Sequence, residues 1–380
     1  MENELMRQSA LLIPAYKPDD RLPPYVQALK DAGIGKIVVV DDGSGDDFQP
    51  LFEQIPQDDH THIISYTPNQ GKGVALRAGM KYLLEECPEQ RYIITADSDG
   101  QHTVTDVLRM VESLHKNHQG LLLGSRDFSG DNVPSKSRVG NRLTSVVFKI
   151  LYGRWVSDTQ TGLRGFERAL LPTMIAVKGD RYEYEMNVLI ECVSLKLPIR
   201  PLMIDTVYEN NNEGSHYRAF RDSVRIFGVI FSGFFRFISS SMIGFGVDYA
   251  LYLLLNNAFK AYLPALEHQF RFLFISVLSR IALATVIARI ISGTVNYLLN
   301  QKIVFHYRGS AKGSLVRYLC VFLLIMLLSA GVTSSLHLWL GMNENIVKLP
   351  VDLVLFFVSY YLQRIWVFPK RLLTEDQLEN

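Results

Sequence analysis

Two carboxylates, Asp97 and Asp99, flank Ser98 directly after a short apolar run over residues 92–96. Side chains spaced i and i+2 at the end of a strand can both reach one hard divalent cation. Mg²⁺ or Mn²⁺ prefers such oxygen ligands and commonly bridges to substrate phosphates. Two more possible ligands follow, namely Gln101 and His102. The pattern therefore predicts a metal site, and an Asp-rich turn that binds nothing is the alternative interpretation.

Two further features are suited to holding anions. Residues 69–73 (NQGKG) open a predicted helix, where glycines let backbone N–H groups approach an anion at the helix N-terminus. The Walker spacing is absent, so this segment is not a P-loop. Arg126, Arg138 and Arg142 carry guanidinium forks that fit phosphate oxygens. The alternatives are a glycine-rich helix start and arginines that are solvated surface charges.

The elements that must position these residues follow from the apolar pattern. Four short apolar runs bounded by turn residues predict buried parallel strands, at 11–13, 36–40, 92–96 and 121–123. Helical patterns lie between them, around 21–32, 72–86 and 104–117. Such alternation predicts a doubly wound α/β sheet. Ligands bind beyond the carboxyl ends of the strands in these sheets, so the four strand tips should converge on one site.

The chain of 380 residues is long enough for two domains, and its two halves differ. Residues 1–212 have the composition of a soluble α/β domain, whereas the chain beyond about residue 226 is apolar and aromatic. The N-terminal ten residues lack the apolar stretch of a signal peptide, which predicts that the first half stays in the cytosol. The three cysteines are far apart without CxxC spacing, which predicts free thiols at Cys87, Cys192 and Cys320.

The second half predicts a membrane domain. Four candidate spans of near bilayer length lie at about 238–257, 279–299, 316–340 and 347–366. A basic and aromatic segment, residues 213–236, precedes them and is predicted to lie in the interface; the start of the first span is the alternative. We therefore divide the chain into a cytosolic domain (1–212), this interfacial segment, a four-helix transmembrane domain (237–370) and a cytosolic tail (371–380).

Basic residues predict the orientation of the spans. Few of them follow spans one and three, where only Lys260, Arg271 and Lys348 occur. Both chain ends should therefore face the cytosol. The basic residues on the predicted cytosolic side are Arg218, Arg221, Arg225, Arg236, Lys302, Arg308, Lys312, Arg317, Arg364, Lys370 and Arg371.

Three ionisable residues, Asp248, Arg289 and Asp352, fall inside apolar spans. Charges at these positions are costly, so we expect them to pair or to serve function. One hypothesis is an interhelical ion pair that only holds the bundle together. The other is that Arg289 attracts a lipid phosphate.

Seven segments occur in a recognisable order: 13–16 (IPAY), 40–44 (VDDGS), 69–73 (NQGKG), 97–102 (DSDGQH), 124–126 (GSR), 158–166 (DTQTGLRGF) and 182–185 (YEYE). The ordered set resembles the family 2 glycosyltransferases over roughly residues 9–218, and most of all the dolichyl-phosphate mannose synthase and polyprenyl-phosphate glucosyltransferase branch. The resemblance implies a GT-A domain, which is α/β, Rossmann-like and mostly parallel. It also implies transfer of a sugar to polyprenyl phosphate with inversion.

The resemblance further implies roles for individual residues. The nucleotide-sugar donor would contact Pro14, Ala15, Tyr16, Asp41, Asp42, Lys72, Asp97 and Ser98. The metal, Mg²⁺ or Mn²⁺, would be held by Asp97, Asp99 and Gln101, and the catalytic residues would be Asp99, Arg126 and Arg138. The acceptor phosphate would bind Arg126 and Arg138, with Ser215, His216 and Arg218 closing over the site. Pro18 departs from the family pattern, since many relatives carry an acidic residue there.

The membrane half contains an internal repeat. Residues 297–305 (YLLNQKIVF) align with 360–368 (YYLQRIWVF), and 235–237 (FRF) with 316–318 (VRY). Two similar helix pairs are the simplest interpretation. This half resembles the GtrA family of small four-span proteins over roughly residues 235–368, which implies a link to polyprenyl-linked sugars and to their movement across the membrane.

Our leading hypothesis is a multi-pass glycosyltransferase of the cytoplasmic membrane that uses a UDP-glucose or GDP-mannose type of donor. Its partners would be the donor, a polyprenyl-phosphate lipid and the bilayer, with no nucleic acid and with a possible homo-oligomer. A lipid phosphate is already anionic and needs no general base, although Asp158, Glu183 and Glu185 could serve a hydroxyl acceptor. A glycolipid or wall-polymer hydroxyl is the second hypothesis. A transporter with a regulatory soluble half is the third.

Overall fold

The computed structural model describes residues 2–116, 119–127, 135–205, 219–267, 269–272, 275–307, 309–341 and 344–370. The chain forms two compact units, which divide between Ile230 and Phe231. The predicted site residues Ser215, His216 and Arg218 lie outside the described residues, and so do Arg308 and the predicted tail from 371 to 380.

The first unit alternates strands with helices. The strands are β1 (Ser9–Ala15), β2 (Lys36–Asp42), β3 (Thr61–Tyr66), β4 (Tyr92–Thr95), β5 (Leu121–Arg126), β6 (Arg164–Glu167) and β7 (Ile199–Ile204). The helices are α1 (Glu2–Arg7), α2 (Leu22–Asp31), α3 (Gln49–Phe52), α4 (Lys72–Glu86), α5 (Val104–Lys116), α6 (Ser135–Tyr152), α7 (Leu171–Ala176) and α8 (Glu183–Ser194).

The strands form one seven-stranded sheet in the order β3-β2-β1-β4-β6-β5-β7. All neighbours pair in parallel except at β6, which runs antiparallel to both β4 and β5. The four predicted strands and three predicted helices are confirmed. Strands β3, β6 and β7 were not predicted, because β3 and β7 are only partly buried and β6 (RGFE) has a charged residue at each end instead of an apolar run.

The sheet core explains why the predicted strands were recognisable. Leu11, Ile13, Ile37, Val39 and Ile94 are fully buried and share one apolar cluster with residues of α2 and α5. Strands covered on both faces are apolar along their whole length, so their polar residues are confined to the ends. The carboxyl ends of β1, β2, β4 and β5 therefore place polar residues at one edge of the sheet.

The second unit is helical. Its helices are α9 (Ala219–Tyr262, which begins in the first unit), α10 (Ser279–Leu299), α11 (Ala311–Leu340) and α12 (Glu344–Leu362), and the short strands β8 (Gln269–Phe272) and β9 (Ile275–Leu278) form a hairpin. Two five-residue π-helical segments, Asn300–Val304 and Gln363–Val367, extend α10 and α12.

Three segments of these helices are long and apolar enough to cross a membrane within the described part of the chain: Ser223–Tyr262, Ser279–Val304 and Ala311–Ser329. The fourth predicted span coincides with α12, which is helical but is not among the three, so a fourth crossing stays a prediction. The first of the three includes most of the predicted interfacial segment, whose position in a membrane stays a prediction too.

The repeat predicted from the sequence is visible in the packing of the second unit. Asn300 and Gln363 occupy equivalent repeat positions and hydrogen-bond to each other, with Nδ2 to Oε1 at 3.0 Å. Phe305 and Phe368 are also equivalent, and their rings stack at 5.2 Å. Equivalent residues that meet at two successive levels indicate that α10 and α12 run in the same direction around a local two-fold axis.

A polar network lies on this axis. Asn300 is fully buried. Its Nδ2 also donates to Asn296 Oδ1 at 2.8 Å, and its Oδ1 accepts a hydrogen bond from the Ser240 hydroxyl at 2.5 Å. Gln363 continues the network by donating to Ser359 Oγ at 3.2 Å. The network connects α9 with the ends of α10 and α12, so it fixes three helices at one level.

We expect Asn300→Leu to destabilise the second unit. The substitution leaves the Ser240 hydroxyl and the Gln363 carbonyl without their shared partner, at a cost of about 1–2 kcal/mol. The measurement is the thermal unfolding midpoint of the full chain in detergent. Gln301→Leu is the control, since Gln301 is the next residue in the chain and its side chain is outside the network. Equal unfolding midpoints for both variants would contradict the role assigned to Asn300.

Candidate functional site

The tip of β2 is organised by hydrogen bonds to its own carboxylates. Ser44 N donates to Asp41 Oδ1 at 2.9 Å, and Lys17 N donates to Ser44 Oγ at 2.8 Å. These two bonds connect the tip of β2 with the end of β1 and the loop after it, where Pro14 and Ala15 close the strand and Tyr16 follows. The predicted donor-binding residues of β1 and β2 are therefore neighbours.

Asp42 holds the loop that precedes α4. Its Oδ1 accepts Gln70 N at 2.8 Å, and its Oδ2 accepts Gly71 N at 2.8 Å and Asn69 Nδ2 at 2.8 Å. Both carboxylate oxygens are thus engaged within the protein, and the side chain is only 2% exposed. The structure gives Asp42 a positioning contact with this loop, and its predicted donor contact stays untested.

The glycines of the loop allow close packing against the segment before α8. A Cβ on Gly71 would lie 2.7 Å from Arg181 Cγ, and one on Gly73 would lie 2.7 Å from Tyr184 Cβ. Gly73 N donates to Asp180 O at 2.9 Å, and Val74 N donates to Gly71 O at 2.9 Å. These N–H groups already have carbonyl partners, so the contacts favour the glycine-rich helix start over the anion site.

Lys72 bridges two carboxylates. Its Nζ lies 2.6 Å from Asp97 Oδ1 and 2.7 Å from Glu185 Oε1. The Lys72 side chain is 15% exposed, and that of Glu185 is 7% exposed. Burial alone would lower the pKa of Lys72, but the two carboxylates raise it above its usual value. The contact joins α4, the tip of β4 and the first turn of α8.

The two aspartates of the β4 tip differ in their electrostatics. Burial would raise the pKa of Asp97, but Lys72 and His102 together outweigh it and hold this pKa below its usual range. Burial and the neighbouring charge of Asp97 raise the pKa of Asp99. His102 is buried, and its Nε2 lies 3.4 Å from Asp97 Oδ2.

These residues fit a divalent cation. The Asp99 carboxylate accepts one hydrogen bond from the described residues, from Gln101 N at 3.0 Å, so oxygen remains available for a ligand. A cation would relieve the repulsion that raises the Asp99 pKa. Within the described ranges no group of three or more His, Cys, Asp or Glu side chains could hold a metal alone. Carboxylates completed by substrate phosphates are a common Mg²⁺ arrangement.

Gly162 makes room for Asp97. A Cβ at this glycine would lie 2.6 Å from Asp97 Cγ, so any side chain would displace the carboxylate. The Thr95 hydroxyl donates to Gly162 O at 2.8 Å and fixes this approach. The motif over 158–166 contained this residue, but the contact depends on β4 and β6 being neighbours, which the sequence did not reveal.

Arg126 pairs with Asp158. Arg126 Nε lies 2.7 Å from Oδ2, Arg126 Nη2 lies 3.1 Å from Oδ1, and Asp158 is fully buried. Gln160 N also donates to Asp158 Oδ1 at 3.1 Å. The described contacts therefore give Arg126 a partner within the protein, and its predicted contact with an acceptor phosphate stays untested.

Sequence analysis missed Arg164 and Asn141 as organisers of this region. Arg164 is 4% exposed, and it donates from Nε to Thr161 O at 2.9 Å and from Nη1 to Glu185 O at 2.7 Å. Asn141 of α6 donates to Ser157 O at 2.6 Å and accepts Thr159 N at 3.1 Å. An arginine inside a short strand was the available signal for the first.

The remaining predicted residues are placed as follows. Arg138 is exposed near the start of α6, and Ser98 is half-buried between the two aspartates. The structure brings together the tips that carry Asp41, Lys72, Asp97 and Asp99. The contacts of Arg138 with a ligand stay a prediction.

We expect Lys72→Met to destabilise the protein by about 3 kcal/mol near neutral pH, because it leaves the buried Glu185 carboxylate and the partly buried Asp97 carboxylate without their cation. In the variant, burial raises the carboxylate pKa in the folded state above that in the unfolded state. The folded state then binds more protons, so the deficit should shrink as pH falls from 7 towards 5.

The measurement is the free energy of unfolding of the full chain in detergent across that pH range. The control is Lys81→Met on the same helix, since Lys81 is 66% exposed and forms a surface pair with Glu85 at 3.7 Å. A deficit that stays constant with pH would contradict the assigned ion pairs.

Two family models match the chain. The model described as glycosyl transferase family 2 matches residues 10–174, and the model described as the GtrA/DPMS transmembrane domain matches residues 236–368. The first contains the tips of β1, β2, β4 and β5, and the second contains the internal repeat.

Curated relatives match the first half. An uncharacterized protein of Methanocaldococcus jannaschii is 31% identical over 202 residues, covering 52% of this chain and 81% of the relative. The UDP-N-acetylglucosamine–dolichyl-phosphate N-acetylglucosaminyltransferase of Methanococcus voltae is 28% identical over 217 residues, covering 52% of this chain and 85% of the relative. An undecaprenyl-phosphate 4-deoxy-4-formamido-L-arabinose transferase of Salmonella paratyphi B is 25% identical over 178 residues, covering 45% of this chain and 52% of the relative.

These relatives and the three apolar helices agree with the two family models along the chain. The sheet is mostly parallel and GT-A-like, and the helical half is that of a multi-pass membrane protein. The chain therefore belongs to glycosyl transferase family 2, and it carries a GtrA/DPMS transmembrane domain C-terminal to its α/β domain in the sequence.

Proposed function

We propose that this transferase moves a hexose from a nucleotide-sugar to polyprenyl phosphate in one displacement, with inversion at the anomeric carbon. The observation that carries the proposal is the state of two candidate bases. Asp158 is held by the Arg126 fork and Glu185 by Lys72, so both carboxylates are neutralised by a cation inside the protein. A hydroxyl acceptor needs a base to take its proton, whereas a phosphate acceptor does not.

The names of two relatives support the same acceptor class. One is a dolichyl-phosphate N-acetylglucosaminyltransferase and the other an undecaprenyl-phosphate transferase of a modified arabinose. Both acceptors are polyprenyl phosphates, whereas the two sugars differ. The comparison therefore favours the lipid phosphate and leaves the donor open between UDP-glucose and GDP-mannose types.

The donor would lie across the strand tips. Pro14 and Ala15 end β1, Tyr16 follows it, and Asp41 lies at the end of β2, so these residues would hold the base and ribose. Asp42 would act through the loop that it fixes before α4. Lys72 and Ser98 would face the sugar diphosphate beside Asp97. Lys72 has a second role in this proposal, because it holds the Asp97 carboxylate in place before the donor binds.

A divalent cation, Mg²⁺ or Mn²⁺, would be held by Asp97, Asp99 and Gln101. When bound, it would supply positive charge against the diphosphate that leaves the sugar. Arg126 and Arg138 would orient the acceptor phosphate, and Ser215, His216 and Arg218 would close over it. Charge developing on the leaving group is stabilised best by groups that are already in position.

The membrane half would act as an anchor with four crossings, the fourth being α12. The chain ends and the α/β domain would face the cytosol at the cytoplasmic membrane, as the basic residues at Lys302, Lys312 and Lys370 suggest. An anchored domain meets its lipid substrate at a high effective concentration, which favours binding of an acceptor lipid that is scarce in the membrane.

We expect lipid-dependent release of a single nucleotide by the detergent-purified chain. The assay offers UDP- and GDP-sugars with Mg²⁺ or Mn²⁺, with and without undecaprenyl phosphate. Asp99→Ala should lose at least about 100-fold in rate, comparable to the loss of one preorganised electrostatic contact. Asp47→Ala is the matched control, since Asp47 is exposed. Turnover at the same rate with and without the lipid would favour a hydroxyl acceptor. Transport of the lipid without any turnover of a nucleotide-sugar would favour a transporter.

The role of Asp158 separates the two acceptor classes. If Asp158 only holds Arg126, Asp158→Asn should raise the KM for the lipid about tenfold and leave the shape of the pH–rate profile unchanged. A general base would instead lose kcat and the acidic limb of the profile. Glu185→Gln serves as the parallel variant, and a lost acidic limb in either variant would support a hydroxyl acceptor.

A further inference from the structure

Arg289 is an exposed charge on an apolar helix. Its side chain is 67% exposed although it lies near the middle of the candidate span Ser279–Val304. Among the described residues it forms an ion pair with Asp248 of α9 at 3.5 Å, and Asp248 also accepts a hydrogen bond from the Ser292 hydroxyl at 2.9 Å. Intramembrane charges usually face the bundle interior, so an outward guanidinium needs a further partner.

The repeat places an opposite charge at the equivalent position. Asp352 on α12 corresponds to Arg289 on α10, as Gln363 corresponds to Asn300. Asp352 is exposed, and its Oδ1 accepts the Ser329 hydroxyl of α11 at 2.5 Å. Ser329 corresponds in turn to Asp248 by the offset that relates residues 316–318 to 235–237. Each helix pair thus has a carboxylate in a polar contact at this level, on the first helix of one pair and on the second helix of the other.

Arg289 and Asp352 lie at the same depth. Arg289 precedes Asn300 by eleven positions, and Asp352 precedes Gln363 by eleven positions. The contact between Asn300 and Gln363 lies on the local two-fold axis. Eleven residues of α-helix span about 16 Å. Because α10 and α12 run in the same direction, both charges lie about 16 Å from this contact, and the two-fold axis places them on opposite sides of the unit.

We propose that copies of this chain associate head to tail in the membrane, with Arg289 of one copy against Asp352 of the next. The proposal does not depend on the acceptor or donor of the transferase. The faces around the two charges are apolar and equivalent, with Ile290 and Ile291 exposed beside Arg289 and Leu353 and Val354 exposed beside Asp352. The local two-fold makes these faces alike in shape, while their charges are opposite.

A symmetric dimer through either face is disfavoured. A two-fold contact through the α10 face would bring the Arg289 side chains of the two protomers together. A two-fold contact through the α12 face would bring the two Asp352 side chains together. Like charges in an apolar medium repel strongly, whereas the head-to-tail contact pairs them. Head-to-tail contacts of this kind generate rings if the rotation closes.

The test is disulfide cross-linking between two tagged versions of the full chain in liposomes, in a Cys320→Ser background. One version carries Ile290→Cys and the other Leu353→Cys, which keeps both charges. We expect the mixed pair to cross-link and each single variant to cross-link at least tenfold less. Cross-linking of one variant with itself would indicate a symmetric contact, and absence of any cross-link would indicate no contact, so either result overturns the proposal.

The charges are tested separately by Asp352→Asn, an isosteric change. We expect the dissociation constant between copies to rise roughly three- to twenty-fold, the range of interhelical polar contacts in membranes. Self-association is measured by single-molecule photobleaching at several lipid-to-protein ratios, with and without added polyprenyl phosphate. Unchanged association would overturn the charge pairing, and association that depends on the lipid would assign Arg289 to a lipid phosphate instead.

Discussion

The ion bridge from Lys72 to Asp97 and Glu185 is the interaction on which the functional edge of this protein depends. It connects the start of α4, the tip of β4 and the start of α8. Two carboxylates that share a buried site repel each other, and an ammonium between them removes that cost. The same contact helps to keep Asp97 ionised, which is the form of a carboxylate that binds a cation.

Close backbone approaches surround this bridge. Gly73 lets α4 lie against Tyr184, and Gly162 lets the backbone before β6 lie against the Asp97 carboxylate. Gly71 and Gly73 resemble a phosphate-binding loop in sequence, but the Gly71 N–H bonds to the Asp42 carboxylate and the Gly73 N–H to the Asp180 carbonyl. The role of Gly73 and Gly162 in this structure is steric, because a Cβ on Gly73 would meet Tyr184 and a Cβ on Gly162 would displace the Asp97 carboxylate.

The membrane half applies a different principle, which is duplication. Two helix pairs with the same polar positions meet at the buried Asn300–Gln363 contact, where the two side chains are neutral amides. The outward residue differs between the repeats, since it is Arg289 in one and Asp352 in the other. A duplicated scaffold can in this way acquire two complementary faces without altering its core packing.

The sequence by itself determined the sheet type, the four strand tips, the order of the family motifs and the repeat, because all of these depend on local apolar patterns and on residue type. It did not determine which charge meets which. Lys72, Asp97 and Glu185 are far apart along the chain, and so are Arg126 and Asp158. Tertiary structure alone decided that Arg126 bonds to Asp158 and that the glycines pack, because a partner is chosen by the spatial order of strands and helices, which local pattern does not encode.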